Sequence, residues 1–182
     1  MPVTWVASTA TACGVVNSYD DPTRLGTDRW AAIVAAWKRG LAPCIVACAG
    51  TALTVDQLDE RGKFLGGAIV AWYHAMLGGL AGNTAALSVD AGEWTAQPTN
   101  TRDALATGAI DAMVGAIEHG QARLAQRLRE RGMTQPPRII LTGGSAYRLL
   151  AHLPAGNAVI DSLVLEGVYL LAESTADFPL RA

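Results

Sequence analysis

The last third of the sequence has an order of segments that restricts the possible folds. RIILTGG at 138–144 predicts a short strand ending in two glycines, and SAYRLLAHL at 145–153 a helix capped by Ser145. NAVID at 157–161 predicts another strand, and SLVLEGVYLLAEST at 162–175 a helix that is apolar on nearly every side. Strand, glycine turn, helix, strand and helix in succession are typical of an α/β fold.

The middle of the chain predicts an antiparallel meander of three strands. CIVACA at 44–49 and TALTVDQLD at 51–59 are apolar, β-branched runs that meet at a turn around Gly50 and Thr51. A third run, GKFLGGAIVAW, follows the turn at 60–62. Together with the C-terminal segments, these runs predict one sheet, partly antiparallel and partly parallel, with helices on its faces.

The N-terminal region predicts a strand and a helix. VTWVA at 3–7 has the strand pattern, and a polar loop around Gly14 follows it. A helix is expected from Thr27, as N-cap, to Gly40. Its buried face is defined by residues at helical spacing, namely Trp30, Ile33, Val34 and Trp37.

Two further helices are predicted between the meander and the C-terminal segments. The first is short, at 73–80, and the second is long, at 102–131. The long helix has an apolar stripe made by Leu105, Ala109, Met113, Ile117, Leu124 and Leu128. Because glycine costs about 1 kcal/mol relative to alanine inside a helix, Gly108, Gly115 and Gly120 predict either close approach of another helix or a break near Gly120.

Composition excludes several classes of protein. The 182 residues suffice for one domain, and a chain that is 51% hydrophobic and 16% charged favours a buried subunit interface. With a net charge of -2 and scattered basic residues, no nucleic-acid surface is indicated. Three cysteines without a metal-ligand or CxxC spacing predict neither disulfides nor zinc, and indicate a reducing, cytoplasmic compartment. No membrane span or signal peptide is expected.

The first candidate site is the segment TRLGTDRW. Asp28 is expected in the first turn of its helix, where the backbone dipole favours a carboxylate, and a carboxylate beside a substrate hydroxyl suits the base of a kinase. Arg29 beside it suits an anionic substrate. Taken alone, the spacing favours the simpler alternative, in which Asp28 supports the helix start and Arg29 pairs with a surface acid.

Two glycine turns are the other candidates. Gly50 and Thr51 suit a phosphate, although a hairpin that uses a glycine with positive φ explains the same residues. Gly143 and Gly144 lie between a strand and a helix, where a nucleotide can approach the backbone, although many such turns contain glycine. For each of these sites taken singly, a structural role explains the residues better than a ligand-binding role does.

Five segments in their order along the chain resemble the type III pantothenate kinases, which belong to the actin-like and sugar-kinase superfamily of two ribonuclease-H-like halves. The segments are NSYDDPTRLGTDRWAA, AGTALTVDQLDERGKFLGGAIV, QPTNTRDALATGAIDAMVGAIE, IILTGG and DSLVLEGVYLLA. The resemblance runs from about Trp5 to Ala172. It implies a ribonuclease-H-like mixed sheet in a single domain at 1–182, in which 1–40 are the remainder of the N-terminal half with the substrate helix and 41–182 are the C-terminal half.

The resemblance also implies a reaction, which is transfer of the γ-phosphoryl group of ATP to pantothenate, the first step toward coenzyme A. Asp28 would then be the base. Pantothenate would be held by Tyr19, Gly26 and Arg29, with Thr101 reaching into the pocket of the partner subunit of a homodimer. ATP would lie at Gly50, Thr51, Gly143 and Gly144. The family uses Mg²⁺ and a monovalent cation, K⁺ or NH₄⁺.

Three features depart from the family pattern. The D-x-G-N-type segment that begins the family's N-terminal half is not found before Trp5, which predicts a chain truncated in that half. Cys48 occupies the family's carboxylate position, and a neutral thiol is a poor ligand for Mg²⁺ or K⁺. Ala71 and Trp72 replace a Pro-Gly pair, which could reshape the pocket or the dimer contact. An alternative function is therefore that of a catalytically impaired, dimeric binding protein.

Overall fold

The computed structural model describes residues 5–83 and 92–176. The strands are β1 (Thr11–Ala12), β2 (Val15–Asn17), β3 (Cys44–Ala49), β4 (Ala52–Leu58), β5 (Lys63–Ala71), β6 (Arg138–Thr142) and β7 (Ala158–Val159). The helices are α1 (Thr27–Lys38), α2 (Tyr73–Asn83), α3 (Thr101–Arg129), α4 (Ala146–Leu150) and α5 (Leu163–Ala176). A short 3-10 helix, Pro22–Arg24, precedes α1.

All seven of these strands form one mixed sheet in the order β1-β2-β5-β4-β3-β6-β7. Strands β3, β4 and β5 are antiparallel neighbours, which confirms the predicted meander. Strand β6 pairs with β3 in parallel and β7 pairs with β6 in parallel, which confirms the α/β arrangement at the C-terminal side. The fold is therefore the mixed α/β sheet that the sequence predicts.

Each face of the sheet has its own hydrophobic core. Helices α1 and α5 lie on one face, where Trp30, Ile33 and Val34 are buried against strand residues such as Val46 and Ile140. Helices α2, α3 and α4 lie on the other face, over alternate strand residues such as Ile45 and Val55. Because neighbouring residues of a strand point to opposite faces, the central strands β3, β4, β5 and β6 contribute to both cores.

The N-terminal region differs from the predictions in two places. Residues 5–7 of the predicted strand are not in a strand, and 3–4 lie outside the described residues. Instead β1 and β2 form an antiparallel pair in the stretch predicted to be a loop. The left-handed backbone of Cys13, at φ 52°, and of Gly14, at φ 86°, makes their tight turn. Strands of two or three residues are too short to show a periodic pattern in the sequence, which explains why β1 and β2 were not predicted.

The helix boundaries also correct the predictions. Gly26, and not Thr27, occupies the N-cap position of α1. Ser145 does precede α4, but its side chain makes no capping hydrogen bond. Helix α3 continues through Gly120 without a break, and a Cβ there would lie 2.9 Å from Val55 Cγ1. The prediction of another helix close to Gly120 is therefore wrong. Strand β4 makes the close approach, because α3 lies directly on the sheet.

Candidate active site

The two glycine turns lie side by side at one edge of the sheet. Strands β3 and β6 are parallel, so the turns that follow them meet at their carboxyl ends. Gly143, directly after β6, has φ 95°, and a Cβ at this position would lie 2.6 Å from the carbonyl oxygen of Ala49. The backbone N–H of Ser145 also donates to that oxygen, at 3.4 Å. The fold itself therefore requires glycine at position 143.

Gly50 and Gly144 are different, because neither has positive φ. The alternative explanation that Gly50 serves a left-handed turn is therefore wrong. A Cβ at Gly144 would meet no described atom within 4 Å, and one at Gly50 only Ala52 O at 3.9 Å. Both residues, like Thr51, are exposed. The backbone N–H groups of these turns are therefore accessible to solvent, and accessible backbone N–H groups in turns can bind phosphate.

Asp28 lies in the first turn of α1 and is exposed. A negatively charged side chain at this position interacts favourably with the partial positive charge of the helix N-terminus. A Cβ on the N-cap residue Gly26 would lie 2.7 Å from Asp28 Oδ1. Glycine at 26 therefore leaves the carboxylate its space.

Arg29 is buried, with 5% of its surface exposed, and it pairs with Asp56, which is 1% exposed. Its Nε donates to both oxygens of Asp56, at 3.2 and 3.1 Å, and Nη2 donates to Oδ1 at 2.5 Å. Its Nη1 donates to the hydroxyl of Tyr19 at 2.8 Å. Arg29 therefore pairs with a buried acid, where the simpler sequence interpretation expected a surface acid.

The ion pair depends on a glycine in the neighbouring strand. Gly67 of β5 lies opposite Asp56 of β4. A Cβ on Gly67 would overlap Asp56 Oδ1 and would lie 3.0 Å from Arg29 Nη2. The Arg29–Asp56 ion pair fits here only because residue 67 has no side chain.

The electrostatics of the pair follow from its burial. Burial alone would lower the pKa of Arg29, but the hydrogen bonds and charge of Asp56 outweigh it and raise that pKa above its ordinary value. Burial raises the pKa of Asp56, and the hydrogen bonds and charge of Arg29 oppose the rise. A carboxylate that accepts several hydrogen bonds from a guanidinium stays ionised near neutral pH, so the pair is ionic.

Cys48 shares this face of the sheet with Asp56. It lies opposite Thr54 of β4 and Thr142 of β6. Burial raises the pKa of the Cys48 thiol, and the negative charges of Asp28 and Asp56 raise it further. The thiol is therefore neutral near pH 7 and is a poor donor to Mg²⁺ or K⁺. The described residues contain no group of three or more His, Cys, Asp or Glu side chains suited to a metal ion.

Thr101 is not brought to Asp28 within this chain. It is the first residue of α3, on the opposite face of the sheet, and it is exposed. It lines an open cavity of about 540 Å³ with residues that include Glu93 and Arg102. Trp72 is buried in the core beneath α3 and not beside Asp28. Its side chain therefore fills the core on the side of Thr101.

The sequence interpretation missed Asp56 and Gly67. The only signal for Asp56 is an acid within the apolar run TALTVDQLD, at a position of the same strand parity as Thr54. An acid inside a predicted buried strand needs a cationic partner, so this rule predicts a cation beside Asp56 but does not identify it as Arg29. Gly67 has no such signal, because GKFLGGAIV contains two adjacent glycines and only the register distinguishes them.

Comparison with known proteins gives the family. A sequence model described as type III pantothenate kinase matches residues 1–123. The chain is 43% identical over 173 residues to the type III pantothenate kinase of Methylibium petroleiphilum, covering 92% of this chain and 66% of that protein. The chain belongs to the type III pantothenate kinase family.

A second relative and a solved structure agree with the assignment. The type III pantothenate kinase of Nitrosomonas eutropha is 40% identical over 171 residues, covering 93% of this chain and 65% of that protein. The crystal structure of a conserved putative Baf family transcriptional activator from Campylobacter jejuni matches with a TM-score of 0.55 at 21% identity, over 85% of this chain and 67% of that one. It shares the fold. This type III pantothenate kinase homologue thus spans just under two thirds of the length of these curated relatives.

None of the helices in 5–83 and 92–176 is both long and apolar enough to cross a membrane.

Proposed function

We propose that this type III pantothenate kinase homologue transfers the γ-phosphoryl group of ATP to the primary hydroxyl of pantothenate. The observation that carries the proposal is the position of Asp28. Asp28 precedes Arg29, which pairs with Asp56 of β4. Asp56 lies opposite Val46 of β3, the strand that Gly50 and Thr51 follow. A candidate base therefore lies near two glycine turns with accessible backbone.

In the proposed reaction the pantothenate oxygen attacks the γ-phosphorus of ATP. A new O–P bond forms, the bond between the γ-phosphorus and the β,γ-bridging oxygen breaks, and ADP leaves. Asp28 accepts the hydroxyl proton. ATP is supplied as its Mg²⁺ complex. The protein's contribution is to place the hydroxyl and the phosphate in line and to remove the proton.

The test is ATP-dependent formation of 4'-phosphopantothenate by the purified chain. We expect turnover with the wild-type chain and a loss of at least a hundredfold in Asp28→Asn, which keeps the shape of the side chain but cannot accept the proton. Asp111→Asn, on the opposite face of the sheet, is the matched control and should keep full activity. Equal rates for the wild type and Asp28→Asn would refute the role of Asp28.

The proposal places Thr101 in the pocket of a partner subunit of a homodimer. Support comes from its exposed position on the face opposite Asp28. Mixed dimers test it directly. Asp28→Asn and Thr101→Ala chains, each inactive alone, should regain part of the activity when mixed, because one of the two pockets then has both groups intact. No recovery in verified mixed dimers would contradict the placement.

The neutral thiol of Cys48 favours a second candidate, a dimeric protein that binds pantothenate or nucleotide without turnover. Calorimetry separates the two candidates. Binding of pantothenate and ATP without product formation would support the second candidate, and binding of neither would exclude both.

A further inference from the structure

Asp56 is the most deeply buried carboxylate beside the proposed pantothenate site, and the proposed reaction gives it no role. It accepts hydrogen bonds from Nε and Nη2 of Arg29 and thereby uses two of the three guanidinium nitrogens. Because the guanidinium is planar and rigid, fixing two of its nitrogens also fixes the direction of the third. That third nitrogen, Nη1, donates to the hydroxyl of Tyr19.

Tyr19 connects this buried pair with the surface. Its ring stacks on Phe64 with centroids 5.8 Å apart, and its backbone N–H donates to Asn17 Oδ1 at 3.0 Å. It lines an open cavity of about 460 Å³ together with Ser18, Asp20, Asp21 and Arg24. Arg29 does not line this cavity, so it acts there through Tyr19.

The direction of the hydrogen bonds has a chemical consequence. An arginine can only donate, so the Tyr19 oxygen is the acceptor in its bond with Arg29. The phenolic hydrogen of Tyr19 remains available for an acceptor in the cavity. Pantothenate offers such acceptors in its carboxylate and amide oxygens.

We propose that Asp56 is a positioning residue, which fixes Arg29 so that Tyr19 is held as a hydrogen-bond donor to an acceptor oxygen of pantothenate. The inference rests on the proposed function for the identity of the ligand. The order of the three side chains rests on the contacts alone. The step involves no covalent change, and Asp56 does not touch the reacting atoms.

The test compares two buried aspartates of the same region. Asp56→Asn keeps the size of the side chain but removes the charge that holds Arg29. Asp59→Asn is the matched control, because Asp59 is also 1% exposed but accepts from the backbone N–H groups of Arg61 and Lys63 and from Arg131. If Asp56 only stabilised the fold, both variants would weaken pantothenate binding to the same extent.

The first readout needs no ligand. In nuclear magnetic resonance spectra, the Nε–H signal that disappears in Arg29→Lys identifies Arg29. We expect its hydrogen exchange to be slow in the wild type and in Asp59→Asn, and at least tenfold faster in Asp56→Asn. Equal exchange rates in all three chains would overturn the inference.

The second readout is the dissociation constant of pantothenate, measured by calorimetry. We expect weakening of at least tenfold in Asp56→Asn and less than twofold in Asp59→Asn. If Asp56→Asn does not fold, Asp56→Glu replaces it in both readouts, since it keeps the charge but displaces the guanidinium. Unchanged affinity in a folded Asp56 variant would refute the inference. Absence of pantothenate binding in the wild type, with the expected exchange rates, would instead refute the proposed function.

Discussion

The close packing of α5 on α1 can be tested with a single substitution in α5. Gly167 lies inside α5, and a Cβ there would overlap the backbone carbonyl group of Ala31 in α1. In an exposed helix, glycine to alanine stabilises by about 1 kcal/mol. At 167 the added methyl meets backbone, which cannot rotate away, and overpacking of this kind costs about 1–3 kcal/mol. After subtraction of the helix gain, we expect Gly167→Ala to lower the free energy of unfolding by up to about 2 kcal/mol.

Gly115→Ala is the matched control for this change. Gly115 lies inside α3, where a Cβ would meet nothing within 4 Å, so alanine should stabilise the protein by about 1 kcal/mol. Urea unfolding followed by circular dichroism measures both changes, and the melting temperatures should differ by roughly 2–4 °C per kcal/mol. If Gly167→Ala and Gly115→Ala raise the unfolding midpoint equally, the close packing of α1 on α5 is wrong.

Two further predictions concern the cysteines. Cys48→Asp should tighten binding of the Mg²⁺ complex of ATP, because it places a carboxylate where the thiol is neutral. Calorimetry measures the affinity, with Cys48→Ser as the control, and equal affinities would show that position 48 does not control nucleotide binding. Burial raises the pKa of Cys44 to about 12, so its thiol stays protonated up to about pH 10 and should resist iodoacetamide in the folded protein. Mass spectrometry should find Cys44 modified only after unfolding in guanidinium, and labelling of the native protein at pH 8 would contradict its burial.

The larger elements could be predicted from the sequence because their signals extend over many residues. The apolar stripe of α3 and the runs on both sides of Gly50 repeat often enough to fix the type of element and its buried face. The β1 and β2 pair could not be predicted, because two or three residues carry no measurable period. Short strands are determined by the sheet they join and not by their own composition.

The candidate site divides in a similar way. The glycine turns and Asp28 could be located from the sequence, because their types and their positions at the ends of elements are both local properties. The partner of Arg29 could not be located from the sequence. Arg29 lies in α1 and Asp56 in β4, and they become neighbours only after the sheet has formed. Gly67 depends on the exact register of β4 and β5, which no local pattern gives.

The packing of α5 over α1 also sets an order of events during synthesis. Helix α1, which presents Asp28, leaves the ribosome before α5, the helix that covers part of its apolar face. Since a contact between distant parts of a chain forms only after both have been synthesised, α1 has to wait in a partly exposed state. The proposed substrate-binding end of the molecule is thus completed only after α5 has been made. A nascent chain that has not yet released α5 is expected to be inactive and to need protection from aggregation.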